Sequence, residues 1–325
     1  MAVRLTVPRA EWLAHVRATA DHYSDGVVPV VKGNGYGFGR PLLHGIVHEL
    51  GLPSGRPEVC VGTVHELHDV PAALAPIVLT PTLVPPAGDQ PVLTVGSLDH
   101  VRALHGWHGR VLVKLASSMR RYGASPQELA ALVQAVQVAG LQVHGYAIHL
   151  PLTGNDADRL AEIEAWLPHV PFGATLWVSH LTPASYLSLR ADHPSHHFRV
   201  RVGTALWHGV PRHEFLRLSA TVLQRHEVRA GDEVGYHGSV VPFDGTLVAI
   251  GAGSAHGVAP LDEPDPTRRS PFHFARRRLT LLERPHMHSS LALVAPHQPC
   301  PQVGDRVDVQ RPLIVTTVDE VEWLP

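Results

Sequence analysis

The sequence predicts an α/β TIM barrel followed by an all-β domain. Three observations point there. Short apolar runs alternate with helix-like stretches for about 200 residues, as a chain of βα units does. Helical periodicity stops after Glu214. Beyond it, strand-like runs are separated by turn signals such as Ala230-Gly231-Asp232 and Gly304-Asp305. A chain of 325 residues is long enough for two hydrophobic cores.

Eight runs are candidate barrel strands: Val27–Val31, Val59–Gly62, Pro76–Thr80, Val92–Val95, Arg110–Leu115, Val143–His149, Thr175–Ser179 and Phe198–Val202. Several intervening helices carry start signals. Pro41 opens Leu42–Leu50. Ser125 and Glu128 form a capping box ahead of Leu129–Ala139. Asn155 can cap Asp156–Leu167, and Thr182 with Pro183 opens another helix. A doubly wound sheet satisfies the same alternation, because periodicity does not show closure. The barrel is assigned to residues 8–212 and the β domain to residues 213–325. Residues 1–7, with the strand Val3–Val7, are a candidate to join the β domain. Residues 260–278, rich in Pro, Asp and Arg, read as an exposed loop.

Composition excludes several functions. A net charge of -2 with no basic tail argues against nucleic-acid binding. No apolar run approaches the roughly 20 residues that cross a bilayer, and the first residues lack a signal pattern. Two cysteines are too few for a disulfide framework. The expectation is a cytoplasmic protein without a membrane or nucleic-acid partner. The 25 histidines are scattered, which fits compositional drift better than a metal site, and no metal is expected.

The basic residues are more telling. Of 27, only Lys32 and Lys114 are lysines. Arginine has replaced lysine wherever a positive charge sufficed, so a surviving lysine invites a chemical explanation. A lysine amine can lose its proton and attack a carbonyl, whereas a guanidinium stays protonated. Lys32 ends the first barrel strand in Val31-Lys32-Gly33-Asn34-Gly35-Tyr36-Gly37-Phe38-Gly39. TIM barrels gather functional groups at that end of their strands. Tyr36 adds a hydroxyl nearby in sequence.

This segment resembles the pyridoxal-phosphate (PLP) lysine motif of the alanine racemase family, V-K-A-N-A-Y-G-H-G, with glycines for its alanines and Phe38 for its histidine. The resemblance continues in order along nearly the whole chain. Lys114 to Gly123 is similar to the family's K-V-D-T-G-M-x-R-x-G. Lys114 matches a lysine that can be carbamylated, and Arg121 a substrate-facing arginine. Ala116 and Ser118 depart from the pattern. Ala147-Ile148-His149-Leu150 is similar to T-H-F-A, which implies that His149 lies against the cofactor ring. Ser179-His180 stands where the family has a phosphate-binding Asn-Ser pair, making Ser179 a candidate there.

Arg201-Val202-Gly203-Thr204-Ala205-Leu206 resembles R-P-G-I-A-L. The resemblance implies that Arg201 pairs with the pyridine nitrogen and that amides around Gly203 and Thr204 hold the phosphate. Val234-Gly235-Tyr236-His237-Gly238-Ser239 resembles V-S-Y-G-x-T, whose tyrosine is a second catalytic base supplied by the partner subunit. Ile250 to Gly257 resembles I-G-Y-A-D-G less faithfully, with an insertion, no tyrosine and histidine for aspartate. His286-Met287-His288 stands where the family has C-M-D, so Met287 is a candidate substrate contact.

The resemblance implies a PLP-dependent amino-acid racemase acting on a small amino acid. Lys32 and Tyr236 would be its two bases, in a head-to-tail homodimer. Two alternatives keep the cofactor: a D-amino-acid aldolase or decarboxylase, to which a metal-binding His286-x-His288 pair would point, and a non-catalytic PLP-binding protein.

Overall fold

The computed structural model describes residues 3–51, 56–265 and 268–325. All eight candidate barrel strands are present. After β1 (Val3–Pro8) and α1 (Arg9–Asp21), they run as β2 (Val27–Pro29), β3 (Glu58–Val61), β4 (Ala75–Val78), β5 (Val92–Val95), β6 (Arg110–Lys114), β7 (Gln142–Ala147), β8 (Thr175–Ser179) and β9 (His197–Val202). Every neighbouring pair is parallel. The order β2-β9-β8-β7-β6-β5-β4-β3 is completed by a parallel bridge from Val30 to Cys60, where Val31 N–H donates to the Cys60 carbonyl at 2.7 Å. That bridge makes the sheet a barrel and removes the doubly wound alternative.

The helices are α2 (Arg40–Glu49), α3 (Leu98–Ala103), α4 (Pro126–Val138), α5 (Asp156–Glu164), α6 (Pro183–Asp192) and the short α7 (Thr204–His208). The expected caps are in place. Glu128 accepts from the Ser125 amide at 2.8 Å, Asn155 Oδ1 from Asp158 at 3.0 Å, and Thr182 Oγ1 from Ser185 at 3.4 Å. The eight units are not all βα, however. β3 is followed by a 3-10 segment, Val64–Asp69, and among the described residues no helix follows β4. The chain there carries Pro81, Pro85, Pro86 and Pro91, which lack amide donors and clash with a helical backbone.

The strands are mainly apolar: Val59, Val61, Ile77, Val78, Leu93, Val111, Leu112, Val113 and Leu176 have no exposed surface, with Thr94, Arg199 and Arg201 among the polar exceptions. Parallel strands buried on both faces read as continuous apolar runs, which is why they were legible.

Contacts divide the chain into two compact units. One, the barrel, comprises Ala14–Gly33 and Arg40–Pro211. The other contains the chain through Leu13, Asn34–Gly39 and Arg212–Pro325. The second is built on β10 (Arg217–Val228), the small ribbon β11 (Glu233–Val234) and β12 (Ser239–Val240), β13 (Gly245–Ile250), β14 (Phe272–Phe274), β15 (Arg277–Arg278), β16 (Thr280–Leu281), β17 (Ser290–Val294), β18 (Arg306–Val309) and β19 (Glu320–Leu324). Its main sheet runs β15-β14-β18-β10-β13-β17-β16. β1 pairs antiparallel with β10 and parallel with β19. Val3, Leu5 and Val7 point into this unit's core.

The stretch 260–278, expected as an exposed loop, contains β14, β15 and a fully buried Phe272. Its polar composition concealed one apolar anchor. Residues 266 and 267 lie outside the described residues.

Candidate active site

One end of the barrel collects most of the residues singled out from sequence. Lys32 follows β2 with its side chain exposed. The next residue is held by a carboxylate: Glu66 accepts from Gly33 N–H at 3.1 Å and from Gly62 N–H at 2.6 Å. Arg40 donates to the Gly33 carbonyl at 2.5 Å and pairs with Asp69 at 2.7 Å. Partial desolvation by the surrounding barrel mouth, then the charges of Arg121 and Arg201, lower the pKa of the Lys32 amine below the ordinary lysine value although the residue keeps solvent access.

Lys114 ends β6 and is 5 % exposed. Burial first, and then the charges of Arg201 and Arg121, push its amine well below the usual lysine range. The loop after it is strongly held. Trp166 Nε1 donates to the Ala116 carbonyl at 2.9 Å, and Glu162 accepts from the Ser118 amide at 2.6 Å and hydroxyl at 2.8 Å. The loop returns through Gly123, whose φ is +118°. A Cβ there would sit 2.4 Å from the Leu115 carbonyl carbon, so only glycine fits. Arg121 stacks over Tyr122 at 5.0 Å and stays exposed.

His149, Ser179, His180 and Arg201 come from the next three strands. Ser179 Oγ accepts from Leu150 N–H at 3.2 Å and is bonded to His149 Nδ1 at 2.8 Å. The Ser117 hydroxyl donates to the His149 carbonyl at 2.7 Å. Burial, then Arg201, Lys114, His180 and Arg121, push the His149 pKa down to about 2, so the imidazole is neutral. His180 adopts left-handed backbone, with φ +62°, and its ring centroid lies 4.9 Å from that of His149. Its pKa falls to about 4, through burial and the charges of Arg201, Arg159 and Lys32. Arg201 donates through its guanidinium to the carbonyls of Ile148 and, at 3.4 Å, Val178. Gly203 is the N-cap of α7 and brings no capping side chain to its first turn. The same helix is tied to the strand of Lys32, since Trp207 Nε1 donates to the Val30 carbonyl at 2.8 Å.

The β unit holds the remaining candidates. Tyr36 belongs to Asn34–Gly39 and is buried, with φ +56°. Asn34 anchors that segment by donating from Nδ2 to the carbonyls of Leu313 and Thr316, both at 2.7 Å, and Phe38 stacks on Trp12 at 4.7 Å. Tyr236 lies in the turn of the β11–β12 ribbon and is 82 % exposed. Met287 is 67 % exposed in the loop between β16 and β17. That loop docks on the preceding one, with Ser254 N–H donating to the His286 carbonyl at 2.8 Å and Ala255 N–H to the Met287 carbonyl at 2.9 Å. His286 and His288 turn to different neighbours. His286 bonds Glu283 and packs on Tyr236, while His288 meets His256 edge-on at 5.8 Å. Among the described residues, no group of three or more His, Cys, Asp or Glu is placed to hold a metal ion.

The barrel thus brings Lys32, Lys114, Arg121, His149, Ser179 and Arg201 into one electrostatic neighbourhood. Sequence reasoning missed Glu66 and Glu283, and gave no role to His180. An isolated carboxylate looks like a surface charge until the tertiary partners that bury it are known.

Comparison with known proteins bears on the family and the fold. The family described as "Alanine racemase, N-terminal domain" matches residues 10–211. The alanine racemase of Deinococcus deserti is 30% identical over 252 residues, covering 70% of this chain and 68% of that protein. Among solved structures, alanine racemase from Bartonella henselae, which carries covalently bound pyridoxal phosphate, matches with a TM-score of 0.72 and 18% identity over 100% of both chains. The biosynthetic alanine racemase of Pseudomonas aeruginosa matches at 0.69, with 18% identity, over 100% of this chain and 99% of its own. At such identities the structural likeness speaks for the fold, and the sequence matches speak for descent. The chain belongs to the alanine racemase family.

Proposed function

We propose that this protein is a PLP-dependent racemase of a small amino acid, with Lys32 and Tyr236 as the two bases and Tyr236 supplied by a second copy of the chain. The observation that carries the reading is the convergence at one barrel end of a lysine of lowered pKa, two arginines and a neutral histidine.

The donor set fits PLP. A phosphate is dianionic and a substrate carboxylate is anionic, and the guanidinium groups of Arg121 and Arg201 are cations. Gly203 leaves the first turn of α7 free of a capping side chain, so amides around Gly203 and Thr204 can meet phosphate oxygens. When bound, PLP supplies an electron-withdrawing ring that stabilises the charge left by a departing α-proton. His149 offers an uncharged ring as a wall, and Ser179 fixes its orientation. Tyr36 would contribute a phenol and Arg121 would orient the substrate carboxylate. Met287 would line the substrate side from the partner.

Each base has a distinct environment. Lowering the Lys32 pKa enlarges its neutral fraction near neutral pH, which a base requires. Arg201 is a permanent cation that disfavours a proton on a neighbouring ring nitrogen, whereas a carboxylate would favour one. This biases the outcome toward returning the proton rather than transamination. Lys114 is buried beside arginines that lower its pKa, which favours the unprotonated amine that adds carbon dioxide. The resulting carbamate would be an anion facing Arg121 and Arg201.

The exposure of Tyr236 supports its delivery to another chain's site. The test is the visible absorption spectrum of purified protein with PLP, before and after borohydride, beside Lys32→Ala. A band that borohydride abolishes and the variant lacks is expected, together with α-proton exchange of an amino acid in heavy water. A wild-type protein that takes up no PLP would overturn the reading.

A further inference from the structure

The ribbon that displays Tyr236 is too small to hold itself. β11 and β12 contribute two residues each, and the turn between them contains two glycines, Gly235 and Gly238, with φ of +76° and +60°. Isolated two-stranded hairpins are marginal in water even when longer. A phenol used as a base must nonetheless be held to within a fraction of an ångström. Something else must fix this turn.

That element is Glu283, in the segment that follows β16. The residue is only 9 % exposed, unusual for a glutamate, and its carboxylate gathers donors from three places. Oε1 accepts from the Tyr236 amide at 3.3 Å. Oε2 accepts from the His237 amide at 3.4 Å and from the Ser239 hydroxyl at 3.4 Å. His286 Nε2 bonds Oε1 from the other side. The three ribbon bonds are long and individually weak, but they converge on one buried acceptor. Gly235 makes the approach possible, because a Cβ there would lie 2.0 Å from Glu283 Oε1. Burial alone would raise the Glu283 pKa, yet the bond from His286 and the His237 and Tyr236 amides hold it below the usual value, so the carboxylate is charged. His286, fixed by Glu283, places its ring centroid 4.2 Å from that of Tyr236.

We infer that Glu283 is a positioning residue for Tyr236: its buried carboxylate clamps the 235–239 turn by its amides and presses the His286 ring against the phenol. The assignment rests on the two-base reading above. Glu283 does not itself touch the reacting atoms. It reduces the phenol's freedom on both sides, by backbone and by ring contact.

The test uses Glu283→Gln and Glu283→Ala in the full chain with PLP. Hydrogen exchange of the Tyr236 and His237 amides is followed beside α-proton chemistry. Amide exchange in the turn is expected to rise about tenfold in Glu283→Ala and less in Glu283→Gln, with the amides of β6 unchanged. Interconversion of enantiomers is expected to fall about 100-fold, the order of a lost general base. Wash-out of the α-proton of one enantiomer, which needs only Lys32, should stay within about threefold of wild type. A merely structural role would depress both reactions together, and that result would overturn the inference. So would unchanged amide exchange. If Glu283→Ala does not fold, Glu283→Gln carries the same tests. A wild type with no α-proton exchange on any amino acid would sink the racemase reading instead, while amide exchange still judges the clamp.

Discussion

At the residue scale, the barrel end lowers the pKa of its basic side chains by burial and by neighbouring arginines. His149 is the sharpest instance. Its folded pKa of about 2 lies below the ordinary histidine value, so between those values the unfolded chain binds a proton that the folded chain does not. Stability contributed at this position is therefore intact above about pH 6.5 and declines as pH falls from there toward the folded value. His180, at about 4, adds to the decline over a narrower window. Unfolding near pH 5, followed by calorimetry in buffers of different ionisation enthalpy, should show proton uptake. His149→Gln should remove about one proton of it. An unchanged uptake would mean that His149 is charged in the folded protein. At Arg201, replacement by glutamate should increase the share of turnovers ending in transamination, read as accumulation of the amino form of the cofactor in single-turnover spectra.

At the scale of elements, legibility followed the range of the forces involved. The barrel strands were readable because each is a local apolar run, and helices α4, α5 and α6 because their caps are local: Ser125 with Glu128, Asn155, and Thr182 with Pro183. Closure was not readable, since it rests on the pairing of Val30 with Cys60 from distant segments. Lys32, Lys114 and Arg201 stood out through motif resemblance, and the two lysines also through the scarcity of lysine. Glu66 and Glu283 were not, because a carboxylate earns its role only when folded neighbours aim amides at it. The loop after β6 provides a test. Gly123→Ala places a methyl against the backbone of Leu115 and Ala116 at a φ that alanine resists. It should destabilise the barrel by about 3 kcal/mol, measured as a shift of the denaturant midpoint. A change below about 0.5 kcal/mol, the range of surface substitutions, would show that the loop relaxes without cost.

At the scale of the whole molecule, the prediction concerns which chain supplies which base. Tyr236 and Met287 are exposed on the β unit of their own chain, and the reading assigns both to a partner's site. Lys32→Ala and Tyr236→Phe homodimers should each be nearly inactive. Mixed by partial unfolding and reassembly, they should recover about one quarter of wild-type racemisation, because half the random dimers carry one intact site of two. No recovery would place both bases in one chain. Among the described residues, no helix is long and apolar enough to cross a membrane.

The scarcity of lysine has a practical corollary. Lys114 is 5 % exposed while Lys32 is open to solvent with a lowered pKa, so the two amines differ in accessibility as well as basicity. Across 325 residues, Lys32 is then the one lysine side chain presented to an amine-directed reagent. Apart from the α-amino group, mild reductive methylation or an activated ester then reports on a single side-chain nitrogen. A mass increment at Lys32, together with its suppression by PLP, would report occupancy residue by residue, without a chromophore and without a substrate. The same selectivity offers a covalent handle for tethering the protein to a surface at the barrel mouth, where attachment would block the site it reports on.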